Sequence, residues 1–207
     1  MTADPALDAS PEDIRAARAM EPRPLAWWGM MLTVAVVATI YGAMYFSYVY
    51  IRIGVTHWPP EGIDPPALGL PGLSVLSLLA SAVAIWLGLR RSHRGALGAE
   101  RPGLAAAIVL AGAHIGLLLL DWSQAGFGVD VHSYAALYYT LPTIHFSSLA
   151  IGMLMAAVHL ALSFRPTDLP RRAIGLRVLG AYWYFLALGG SALLAVVYLM
   201  PHVWPVA

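Results

Sequence analysis

Five long apolar stretches, residues 25–51, 68–89, 104–120, 134–164 and 174–200, alternate with short polar connections along the chain. A helix needs about 20 apolar residues, at about 1.5 Å of rise each, to cross the hydrocarbon core of a bilayer. Every stretch approaches or exceeds that length, the third by the smallest margin. None alternates apolar and polar residues with the period of two that a membrane barrel strand requires. In lipid each backbone N–H and C=O must be satisfied within its own segment, so the pattern predicts helices. The expected fold is an all-α, polytopic membrane bundle of five transmembrane helices. It divides the chain into a polar head over residues 1–24, the bundle over 25–201 and a short tail over 202–207.

Composition agrees with this reading and charge orients it. Hydrophobic residues are 59% of the 207, charged residues 11%, and mean hydropathy is +0.70, far from a soluble domain. The chain has arginine but no lysine, and its arginines alternate between connections. The successive counts are 3 (Arg15, Arg18, Arg23), 1 (Arg52), 4 (Arg90, Arg91, Arg94, Arg101), 0, 4 (Arg165, Arg171, Arg172, Arg177) and 0. By the positive-inside rule the N-terminus is expected in the cytoplasm and the C-terminus on the opposite, periplasmic side, which requires an odd number of spans. The net charge of +1, with arginines in juxtamembrane clusters, argues against nucleic acid as a partner. With no cysteine, disulfides, thiolate metal sites, covalent haem attachment and thiol catalysis are excluded.

Local features refine the picture. The head carries Ser10-Pro11-Glu12-Asp13, a helix-start pattern of cap, proline and acidic first turn, on a segment too acidic for a signal peptide. Trp27-Trp28 is placed to anchor the first span at an interface. A rigid loop follows that span, Trp58-Pro59-Pro60-Glu61-Gly62. Gly112 and Gly116 form a GxxxG in the third span that would let another helix approach closely. Pro142 is expected to kink the fourth span, and Gly189-Gly190 offers a second small-residue surface in the fifth. No internal repeat relates the two halves, against an inverted-repeat transporter.

Polar groups inside a membrane are candidate functional residues by default. Four stand out: His114, Asp121, His145 and His159. Asp121 falls where the third span meets the interface and is expected to be hydrated, while His159 is close enough to the end of its span to snorkel. His114 and His145 lie deeper. Each reads either as a neutral imidazole bonded to a carbonyl or hydroxyl, with Ser147 and Ser148 at hand, or as a ligand. His145 and His159 are about four turns apart on one helix face, the spacing used by membrane cytochromes that stack two haems, but a partner pair on a second helix is missing. The chain has no nucleotide-binding glycine loop, no His-Glu-x-x-His motif and no serine triad. It reads as scaffold.

Four segments in order resemble subunit III of the haem–copper terminal oxidases, the cytochrome c and quinol oxidase family, in a divergent five-helix bacterial form. They are Trp28-Gly29-Met30 through Tyr48-Val49-Tyr50-Ile51-Arg52; the Trp58-Pro59-Pro60-Glu61-Gly62 loop; Tyr134 to Gly152, with His145 on the first histidine of the family's F-H-G-x-H; and Tyr182-Trp183-Tyr184-Phe185 with Val196-Val197-Tyr198-Leu199. The chain departs from the family where a buried glutamate is usual (Val37), at the second histidine (Ser148), and at the histidine and aspartate of the last helix (Tyr184, Ala187). Asp121-Trp122 stands where Glu-Tyr is usual.

The resemblance implies a non-catalytic accessory subunit of a respiratory oxidase complex in the bacterial cytoplasmic membrane. It would pack beside the catalytic subunit, bind phospholipid, and support assembly and sustained activity. No cofactor is expected on this chain; haem and copper are expected in partner subunits I and II. No catalytic or metal site is expected. The positions expected to serve lipid binding or subunit packing are His145, His114, Gly112, Gly116 and Ser148, joined by Trp58, Arg52, Trp183 and Asp121. Two alternatives stay open: the homologous subunit of a nitric oxide reductase, and a membrane b-type haem protein using His145 and His159.

Overall fold

The computed structural model describes residues 25–92, 98–165 and 169–203. The expected head, with its Ser10-Pro11 helix start, lies outside them, as do residues 204–207 of the tail. Five helices carry the fold: α1 Leu25–Ile53, α2 Gly69–Ser92, α3 Arg101–Ser123, α4 Ser133–Leu162 and α5 Leu169–Leu194. All five spans are long and apolar enough to cross a membrane, which makes this a multi-pass membrane protein. Among the described residues there is no strand. The third span, marginal by its apolar run, reaches 23 residues because the helix takes in Arg101, Pro102 and Asp121 at its ends. Pro142 sits inside α4, which continues through it to Leu162. The last helix passes through a π-helical stretch, Ala195–Leu199, and ends in one more turn, Met200–Val203.

Packing arranges α2, α3, α4 and α5 as a ring in which each touches the next and α5 closes back on α2, while α1 lies outside against α5 and, less, α4. Helix α1 buries only Met30, Tyr41, Tyr48 and Arg52, a narrow seam on a largely exposed cylinder. Its exposed hydroxyls are satisfied locally: Thr33, Thr39 and Ser47 donate to the carbonyls of Gly29, Ala35 and Ala43 at 2.9–3.0 Å. That back-bonding removes the cost of presenting a free hydroxyl to lipid.

The tightest contact joins α2 to α3, and glycine makes it possible. A Cβ on Gly103 would stand 2.6 Å from the carbonyl oxygen of Ala84 and 2.7 Å from the Cα of Gly88. The close approach that the sequence suggested at Gly112-x-x-x-Gly116 is not made among the described residues. A Cβ on Gly112 would meet only a methionine methyl at 4.0 Å, and one on Gly116 would meet nothing. Gly88 and Gly103 escape the usual motif because they face each other across two helices.

These backbones predict opposite outcomes for two glycines. Gly103→Ala should destabilise the bundle by about 1–3 kcal/mol through overpacking, seen as a lower midpoint for thermal unfolding in detergent. Gly116→Ala should leave that midpoint unchanged.

Candidate functional site

Two apolar cores lie along the bundle, and a polar layer separates them. One core gathers Ile85, Leu104, Leu179 and Trp183; the other gathers Tyr48, Trp58, Leu118, Tyr134 and Val197. Between them, on α1, α3, α4 and α5, fall Tyr41, His114, His145 and the Gly189-Gly190 pair. His114 and His145, 31 positions apart in sequence, are both fully buried and bring their ring centroids to 5.3 Å, nearly perpendicular.

The layer is wired across four helices. Tyr41 Oη of α1 and His145 Nδ1 of α4 share a hydrogen bond of 2.8 Å. His114 Nδ1 donates to the carbonyl of Ser74 in α2 at 3.0 Å; since a carbonyl only accepts, that nitrogen carries the proton. The partner of His145 is therefore the Tyr41 phenol, and neither of the serines beside it. Ser148 donates to Ile144 O and the exposed Ser147 to Thr143 O, each one turn back.

Glycine seats both histidines of α4. A methyl on Gly190 would overlap the His145 ring, and a methyl on Gly175 would come 2.5 Å from His159 Cε1. The shared helix face read from the spacing of His145 and His159 is thus the face turned to α5, where each ring enters a notch left by a missing side chain. Among the described residues no group of three or more histidines or carboxylates is placed to hold a metal ion.

Two other expected site residues, Trp183 and Trp58, belong to the two cores. Trp183, fully buried, donates its indole N–H to Ser81 Oγ at 3.0 Å, and its neighbour Tyr182 donates to the Ser148 carbonyl at 3.1 Å. Trp58, in the loop after α1, donates to Tyr48 Oη at 2.9 Å and packs edge-on to Tyr134. Arg52 is 2% exposed, one turn along α1 from Tyr48. Asp121 differs from expectation: it is 7% exposed rather than hydrated. Its Oδ2 accepts from Tyr138 at 2.5 Å and from Tyr198 at 2.9 Å. Sequence reasoning missed Tyr41, Tyr138 and Tyr198 as polar partners because a tyrosine within an apolar span carries no mark of what its hydroxyl meets.

These features define a class: a five-helix membrane scaffold whose buried polar groups tie its own helices together. No family model matches the chain. It is 25% identical, over 85% of its length and 76% of theirs, to cytochrome c oxidase subunit 3 of Synechocystis. To cytochrome c oxidase subunit 3 of Thermostichus vulcanus it is 20% identical, covering 83% of the chain and 86% of the relative. To the cytochrome bo(3) ubiquinol oxidase subunit 3 of Pseudomonas aeruginosa it is 23% identical, over 84% of each. Over most of its length the chain is thus similar, at 20–25% identity, to subunit 3 of cytochrome c and ubiquinol oxidases.

Interhelical hydrogen bonds in membrane proteins contribute about 0.6 kcal/mol on average and up to about 2. Tyr41→Phe, which removes the phenol from His145, should lower stability by about that amount in detergent unfolding. Gly190→Val should cost more, because it displaces the ring as well as breaking its bond.

Proposed function

We propose that this chain is a non-catalytic accessory subunit of a membrane respiratory haem–copper oxidase, packed beside the catalytic subunit in a bacterial cytoplasmic membrane. The observation that carries the reading is its similarity, over more than four-fifths of its length, to three proteins named as oxidase subunit 3. The buried polar groups support it, since they are occupied in holding helices together. In this reading haem and copper reside in subunits I and II, and this chain supplies packing surface and lipid contacts.

Two surfaces suit that role. The open side of α3 at Gly116, with Gly112 one turn away, offers a seat for a partner helix, since among the described residues nothing lies within 4 Å of a Cβ on Gly116. An apolar groove of about 290 Å³ between α2 and α5, lined by Leu68, Pro71, Gly72, Val75, Tyr198 and Leu199, suits a phospholipid acyl chain. The arginine alternation supports an N-terminus in the cytoplasm.

The deciding experiment is purification of the tagged chain from its own membranes in mild detergent, with a reduced-minus-oxidised spectrum and mass spectrometry of what accompanies it. Haem-bearing oxidase subunits should co-purify and the separated chain should carry no haem; a lone chain retaining haem would overturn the reading. Gly116→Leu should reduce co-purification while leaving the isolated bundle's melting unchanged. His145→Leu should leave the haem content of the complex as it is.

A further inference from the structure

Near the Trp58 loop the second core is a continuous run of oxidisable rings. Centroids step from Tyr48 to Trp58 at 5.4 Å, to Tyr134 at 5.0 Å, to Tyr138 at 6.1 Å and to Tyr198 at 5.3 Å. None of the five is more than 5% exposed. A branch leads outward from Tyr138 to Tyr139 at 5.1 Å and on to the half-buried Trp122 at 5.2 Å. Packing accounts for rings in contact. It does not account for two phenols donating to one oxygen of a single buried carboxylate, because apolar residues at all three positions would pack as well and spare the cost of burying polar groups.

We propose that Asp121, Tyr138 and Tyr198 form a site of proton-coupled one-electron oxidation, reached through the chain of aromatic rings. A phenol that loses an electron must also lose its proton, and here the proton has a base already hydrogen-bonded to it. The electron leaves Tyr138 or Tyr198 for a one-electron oxidant of the high-valent metal–oxo class. The phenol O–H bond breaks, its proton moves to Asp121 Oδ2, and a neutral phenoxyl radical and a neutral carboxylic acid remain. The buried negative charge disappears in the same step, so the low-dielectric surroundings favour the oxidised pair. Returning an electron and moving the proton back restores the resting state. A supply of that oxidant by an oxygen-reducing partner rests on the proposed function; the competence of the site does not.

The test therefore uses the purified full chain in detergent, oxidised by flash-generated ruthenium(III) tris-bipyridine with persulfate as electron acceptor, then frozen for electron paramagnetic resonance. A phenoxyl signal should form, and should fall several-fold in the double variant Y138F/Y198F. Each single variant should retain part of it. Asp121→Asn, which keeps both phenols but removes the base, should also lower the yield several-fold, while Tyr50→Phe at an exposed ring should not affect the internal signal. An unchanged yield in Y138F/Y198F would overturn the proposal, as would a parental yield in a folded Asp121→Asn. Should that variant fail to fold, the tyrosine variants decide alone. A negative outcome counts against the site and leaves the partner complex untouched, because no partner is present.

Discussion

Polar groups buried in a bilayer have no water to fall back on, and this constraint organises the bundle. Several of the deep tyrosine, histidine and tryptophan side chains reach across to another helix, so these polar contacts coincide with helix junctions. Tyr41 and His145 join α1 to α4, His114 and Ser74 join α3 to α2, and Trp183 and Ser81 join α5 to α2. Apolar packing alone distinguishes one neighbour from another poorly when lipid is as apolar as leucine. The polar layer provides that discrimination at about the middle of the bundle, and the apolar cores on either side fill the remaining volume.

Glycine is the second half of the same device. On α5 it opens space for side chains that cross from α4 and α1: the His145 ring at Gly190, the His159 ring at Gly175, and the Tyr41 ring beside Gly189. Tyr45 uses the gap as well, donating to the Gly189 carbonyl at 2.7 Å. Large polar rings on two helices are thus matched to missing side chains on a third. The match fixes register along the helix axis in a way that a smooth face of leucines would not.

Sequence made the spans legible because a run of about 20 apolar residues has few other meanings, and capping polar residues moved the boundaries only slightly. It marked His114, His145 and Asp121 by their cost in lipid. It could not pair them, since residues 31 apart on antiparallel helices leave no periodic trace. The same holds for Gly88 and Gly103, whose proximity arises only when α2 and α3 fold back on each other, whereas Gly112 and Gly116 matched a motif but make no close backbone contact among the described residues. Asp121 looked hydrated at the end of its apolar run. Its burial involves Tyr198, 77 residues later, which lies within the π-helical stretch that alters the helical register there.

The Gly88–Gly103 contact has a bearing on biogenesis. It joins two consecutive helices of the chain, and it is backbone against backbone, so it needs no side chain from a later segment. The α2–α3 hairpin can therefore close while α4 and α5 are still being synthesised. The polar layer of the later helices can then be assembled on that pair, while α1, which packs mainly on α5 and α4, gains its packing only once those helices are present.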